Sequence, residues 1–140
     1  YKSFEYHLGT VDDYLEQSGW QQNEKMTKNR LLSNITDVVA EDLAGKTVTK
    51  VEQELILYAT RKPGLAKLYN AWEQSVVDTL AIDLKQLRYK RPKEIARILV
   101  SLARGFLLES LTNPSLTEKQ FKQRVKILLD SLPMQSAKKN

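Results

Sequence analysis

The sequence predicts an all-α domain of about six helices, and three observations carry that expectation. Apolar residues recur at helical spacing through most of the chain. No segment alternates as a half-buried strand would, since the run at residues 48–51 is too short and sits among helix formers. All four prolines fall between or after the periodic stretches, where a missing N–H and a fixed φ do least harm.

The first helix is expected over residues 3–18, with Phe4, Leu8, Val11 and Leu15 on one stripe and a loop around Gly19 and Trp20. The second spans residues 24–44, carries Leu31, Ile35, Val38, Val39 and Leu43, and is closed by Gly45. Thr49 and Glu52 have capping-box spacing, which opens a third helix to about Arg61 with Val51, Leu55 and Tyr58 as its buried stripe. Pro63 biases Lys62 away from helical geometry while suiting the first turn of a new helix itself. The fourth helix therefore runs over residues 63–88, with Leu65, Leu68, Tyr69, Trp72, Val76, Leu80, Leu84 and Leu87 inward. Pro92 opens the fifth, over residues 92–111. Thr117 with Gln120, or Ser115 with Glu118, caps the sixth, which carries Phe121, Val125, Leu128 and Leu132 until Pro133 ends it.

Composition fits one domain over residues 1–133 with a disordered tail over 134–140. The chain has 140 residues, 41% hydrophobic and 28% charged, enough to bury a core without staples. It contains no cysteine, which excludes disulfides and thiolate metal sites and fits a reducing cytoplasm. No apolar run reaches the roughly 20 residues that span a bilayer, so no membrane partner is expected. The net charge of +5 is concentrated around Lys85, Arg88, Lys90, Arg91 and Lys93, in one inter-helix loop. Without aromatic interleaving or a recognition-helix pattern, that cluster reads as solvated helix ends rather than as a nucleic-acid surface, with docking toward an adjoining basic domain as the remaining alternative.

The fifth helix is apolar on two adjoining sides. Ile95, Ile98, Leu99, Leu102 and Phe106 cover one, and Ala96, Val100, Ala103, Leu107 and Leu111 the other. Together they make an arc of roughly 200°, about twice what a surface helix needs. Only Arg97, Ser101 and Arg104 mark a wet strip. Such a helix is either wholly covered by its own chain or shared between its own core and a second subunit. Ile127, off the main stripe of the sixth helix, suits a shared seam in which two helices from each copy form a four-helix bundle.

Little here suits catalysis. His7 is the sole histidine, Glu52 and Glu54 are two apart and so on different helix faces, and phosphate-loop and nucleophile-elbow patterns are absent. No enzyme activity, metal or cofactor is expected. A small-molecule pocket suits the chain better. Tyr58, Tyr69, Trp72, Phe106 and Phe4 offer large apolar surfaces with a few polar handles, although the same aromatics could simply fill a core.

The succession of a Tyr58-bearing helix, then Arg61-Lys62-Pro63-Gly64-Leu65, then Leu68-Tyr69-Asn70-Ala71-Trp72 resembles the core of the effector-binding domain of TetR-type bacterial regulators. The resemblance runs from about Leu31 to Leu132 and includes the run 98–107 and the Asn113-Pro114 loop. It implies a ligand cavity enclosed by the first four helices and the start of the fifth, and a homodimer through the last two. Ala96, Val100, Ala103, Leu107, Leu111, Val125 and Leu128 are the expected interface residues. The partners it implies are a small hydrophobic effector, a second copy, and DNA only through an N-terminal helix-turn-helix domain missing from this sequence. A helical interaction or scaffold module with no ligand is the competing expectation.

Overall fold

The computed structural model describes residues 25–135, and within them the chain is all-α. Five helices follow one another: α1 Lys28–Ala44, α2 Lys46–Ala59, α3 Pro63–Gln86, α4 Pro92–Ser110 and α5 Glu118–Ser131. The described count is thus five rather than about six. The additional helix expected over residues 3–18 lies outside the described residues, as do residues 136–140 of the expected tail.

Helix boundaries follow from local chemistry. The Thr27 hydroxyl accepts the Arg30 N–H at 3.1 Å and caps α1. Gly45 closes α1 by donating its N–H to the Glu41 carbonyl. Prolines occupy the first turns of α3 and α4, where their missing N–H leaves no helical bond unmade. At α5, the Gln120 side chain accepts the Thr117 N–H at 2.8 Å, the reciprocal arm of the capping box that the sequence offers.

The end of α3 is a Schellman motif. Tyr89 N–H bonds the Leu84 carbonyl, Arg88 N–H bonds the Lys85 carbonyl, and Arg88 takes the left-handed position at φ 69° that glycine usually fills. Chain reversal then delivers Tyr89 into the core, where it is 1% exposed. An isolated antiparallel bridge pairs Tyr89 with Met134, so the segment expected to be a free tail from Met134 is held at its start. Lys90 N–H bonds the Pro133 carbonyl and Gln135 N–H bonds the Arg88 carbonyl on either side of that bridge.

The main core lies among α1, α3, α4 and α5. Leu31, Ile35 and Val39 of α1 meet Val77, Leu80 and Leu84 of α3, Ile95, Leu99 and Phe106 of α4, and Phe121, Val125 and Leu129 of α5. Burying a side chain of this size is worth about 1.5–3 kcal/mol. Helix α4 is central, in contact with α1, α2, α3 and α5. Those contacts within one chain cover most of its apolar arc, while Ile98 stays 45% exposed. Ala96 (0% exposed), Leu107 and, on α5, Val125 (0%), all expected at a subunit interface, are buried in the protomer's own core.

Helix α2 is rotated from expectation. It begins at Lys46, and the Thr49 hydroxyl donates to the Asp42 carbonyl at 2.9 Å instead of capping with Glu52. That bond turns Thr49 inward, and with it the positions one, two and three turns on: Glu52 and Gln53, Ile56, and Ala59. Val51 and Tyr58 lie on the opposite side, 44% and 47% exposed, and so are not the buried stripe.

Candidate functional site

The bend between α2 and α3 creates a second, smaller apolar cluster. Lys62 is extended at φ −131°, and its carbonyl accepts the N–H groups of Leu65 and Ala66, so α3 starts abruptly at Pro63. This swings Leu65 and Tyr69 back onto Ala59, with Leu55, Ile56, Leu68 and Trp72 packed around them. Tyr69 and Trp72 tilt against each other with centroids 5.9 Å apart.

One cation enters this cluster from α4. The Arg104 guanidinium donates to the Tyr69 hydroxyl and to Glu73, and its central carbon lies 5.2 Å from the Tyr69 ring centroid. Glu73 is largely covered, at 17% side-chain exposure, so its ion pair is better shielded from solvent than a surface bridge. Burial pushes the Tyr69 phenol up to about 12; Glu73 and Glu52 push the same way, and Arg104 pulls against them. At neutral pH the phenol is therefore a neutral, polarised group beside two apolar walls. The arrangement joins an aromatic surface, a hydroxyl and a fixed charge pair, groups able to orient a bound molecule. Among the described residues, no group of three or more His, Cys, Asp or Glu is placed to hold a metal.

The structure brings together two of the five predicted ligand residues. Tyr69 and Trp72 share the cluster. Tyr58 points away and lines a shallow open hollow of about 300 Å³ with Lys62, Pro63, Gly64 and Leu65. Phe106 belongs to the main core, where it packs on Phe121 at 5.2 Å and lies under Arg124, apart from the Tyr69 cluster. Phe4 lies outside the described residues. Glu73 and Arg104 were not foreseen. Arg104 had read as part of a wet strip, and its partner is 31 residues away, beyond the reach of periodicity.

On the outside of α4, the wet strip is narrower and greasier than its sequence suggested. Ile98 and Leu108 are 45% and 53% exposed, on the same side as Ser101 and Gly105. A β-carbon placed on Gly105 would meet nothing within 4 Å. A shallow, open depression of about 460 Å³ lies along this side, lined by Glu94, Arg97, Ile98, Ser101 and Leu102. On α5, Ile127 is 61% exposed, opposite the stripe of Phe121, Val125 and Leu129. Of the residues expected at a subunit seam, Val100, Ala103, Leu111 and Leu128 are half-buried.

The described residues form an all-α domain with a bend at Pro63 and an aromatic cluster behind it. The family model described as the tetracyclin repressor-like, C-terminal domain matches residues 26–132, and the chain belongs to that family. In TetR regulators this domain is the ligand-binding and dimerisation part. No curated protein and no solved structure matches the chain. No helix among the described residues is long and apolar enough to cross a membrane.

Proposed function

We propose that this chain is the effector-sensing and dimerisation domain of a TetR-type transcriptional regulator, a binding module rather than an enzyme. The family match over residues 26–132 carries that reading. The ligand site is the cluster behind the Pro63 bend, where Leu55, Leu65, Leu68 and Trp72 supply apolar contact and Tyr69, Glu73 and Arg104 supply orientation. An effector of small, largely apolar character fits that lining.

Dimerisation proceeds through the exposed sides of α4 and α5, with Ile98, Leu108 and Ile127 as contact residues and Ser101 and Gly105 allowing close approach. Because α4 carries Arg104 toward the ligand cluster and Ile98 and Leu108 toward the second copy, one helix touches both events. A ligand that rearranges the Arg104 contacts favours one placement of the two α4 helices over another. In the intact regulator that placement sets the spacing of DNA-reading helices, which must match half-sites about one duplex turn apart. DNA contact would come through a domain outside this sequence.

A thermal-shift screen of hydrophobic dyes, drugs and fatty acids tests the ligand claim, because a compound that binds the folded state raises apparent stability by mass action. A true effector stabilises the wild type and loses its effect in Trp72→Ala. Failure of every compound against a protein that still dimerises favours a helical scaffold without a ligand.

A further inference from the structure

The loop between α3 and α4 places positive charge where the fold gains nothing from it. Lys85, in the last turn of α3, complements that helix's negative end. Lys90, Arg91 and Lys93 do the reverse, since they surround the N-terminus of α4, where the helix macrodipole is itself positive and only Glu94 of the first turn complements it. All three are exposed and make no ion pair among the described residues. Arg91 occupies the N-cap of α4 in left-handed geometry, φ 55° and ψ 54°, with no side-chain cap bond. Serine, threonine, asparagine or aspartate would serve that position better. A solvated-cap explanation therefore covers Lys85 and fails for its three neighbours.

The loop is also held in place. Tyr89 is buried and donates its hydroxyl to the Leu129 carbonyl at 2.8 Å, and the bridge to Met134 clamps the backbone on either side. The cations are thus displayed on a fixed support rather than on a floppy turn. Met134, brought beside them by the bridge, is 45% exposed, and Ile82, one turn before Lys85, is 48% exposed. With its ring buried at 1% exposure, Tyr89 offers no face on which a nucleic-acid base could stack.

We propose that this loop is a docking surface for an acidic polypeptide segment that carries apolar side chains between its carboxylates. Lys90, Arg91 and Lys93 bind the carboxylates, the N–H groups of Lys93 and Glu94 that follow Pro92 reinforce them, and Met134 and Ile82 receive the apolar residues. This site is on the α3–α4 turn, separate from the Arg104 cluster on the opposite part of α4, and its fate is independent of the effector reading.

Fluorescence anisotropy of the full chain with a fluorescein-labelled peptide of repeated Glu-Glu-Leu-Gly units tests it. Binding is expected at low salt, weakening with added salt, and falling roughly tenfold in K90Q/R91N/K93Q. The control K119Q/K122Q/K126Q removes the same number of charges from α5 and leaves binding unchanged. Circular dichroism confirms that both variants fold, since every substituted side chain is exposed. No binding by the wild type, equal loss in the two triple variants, equal binding of a Gln-Gln-Leu-Gly peptide, or tighter binding of a short DNA duplex would each overturn the proposal.

Discussion

Tyr89, between α3 and α4, donates its hydroxyl to the carbonyl of Leu129 on α5 across 40 residues of sequence. The reason for the bond is local to α5. The helical partner of the Leu129 carbonyl would be the N–H of residue 133, and residue 133 is a proline, which has none. The buried phenol replaces that missing donor. Tyr89→Phe leaves a covered carbonyl unsatisfied and should lower unfolding free energy by about 1–3 kcal/mol in urea titration, with the denaturant slope unchanged.

Arg104 and Glu73 form a coupled pair rather than two surface charges. Arg104→Met keeps the aliphatic stem but strands the covered carboxylate, and should cost about 1–3 kcal/mol. Glu73→Gln in the same chain removes the stranded charge and should recover part of that loss. Additive losses in the double-mutant cycle would show that the two groups act separately.

Tyr69 gives the pair a signature in alkali. Its folded phenol is raised to about 12 from the ordinary 10.0, so the folded state holds its proton where the unfolded state has released it. This contribution to stability is fully present below pH 10 and declines as pH rises from 10 toward 12. Absorbance titration of the phenols should show a late component that disappears in Tyr69→Phe, and that variant should lose less stability over the same interval.

Arg91 tests whether the α3–α4 loop holds charge at the expense of stability. Asparagine tolerates left-handed geometry and can cap a helix, so Arg91→Asn should raise stability by about 0.5–1 kcal/mol. A measured loss would mean that the arginine side chain supports the fold.

How much of this was legible in the sequence depended on how local the cause was. Pro63, Pro92 and Pro133 marked three boundaries correctly, because a fixed φ and a missing N–H act on their immediate neighbours. The stripe of α3 was readable too, since Leu65, Tyr69, Leu80 and Leu84 are all buried. Helix α2 was misread because it carries apolar residues on both sides, and a single Thr49–Asp42 bond chooses between them. The width of the α4 arc was legible, but the division of its covering was not. Periodicity reports that a surface must be covered, and cannot say that α1, α2, α3 and α5 of the same chain do most of the covering. Tyr69 and Trp72 were found through their helical spacing, whereas Glu73 and Arg104 became visible only once α3 and α4 lay side by side.

The interface proposed on α4 and α5 makes a sharp division among substitutions. Val125→Asp and Ala96→Asp place a charge at fully buried positions and should unfold the protein. Ile98→Glu, Leu108→Glu and Ile127→Glu replace exposed side chains and should leave helical content intact.

The most direct test of the account is the mass of the wild-type chain in solution, measured by sedimentation equilibrium across micromolar concentrations beside the Ile98→Glu/Leu108→Glu variant. The account predicts twice the mass of the 140-residue chain for the wild type and a folded monomer for the variant. A wild type that remains monomeric at every concentration, or a variant that dimerises as well as its parent, would contradict it.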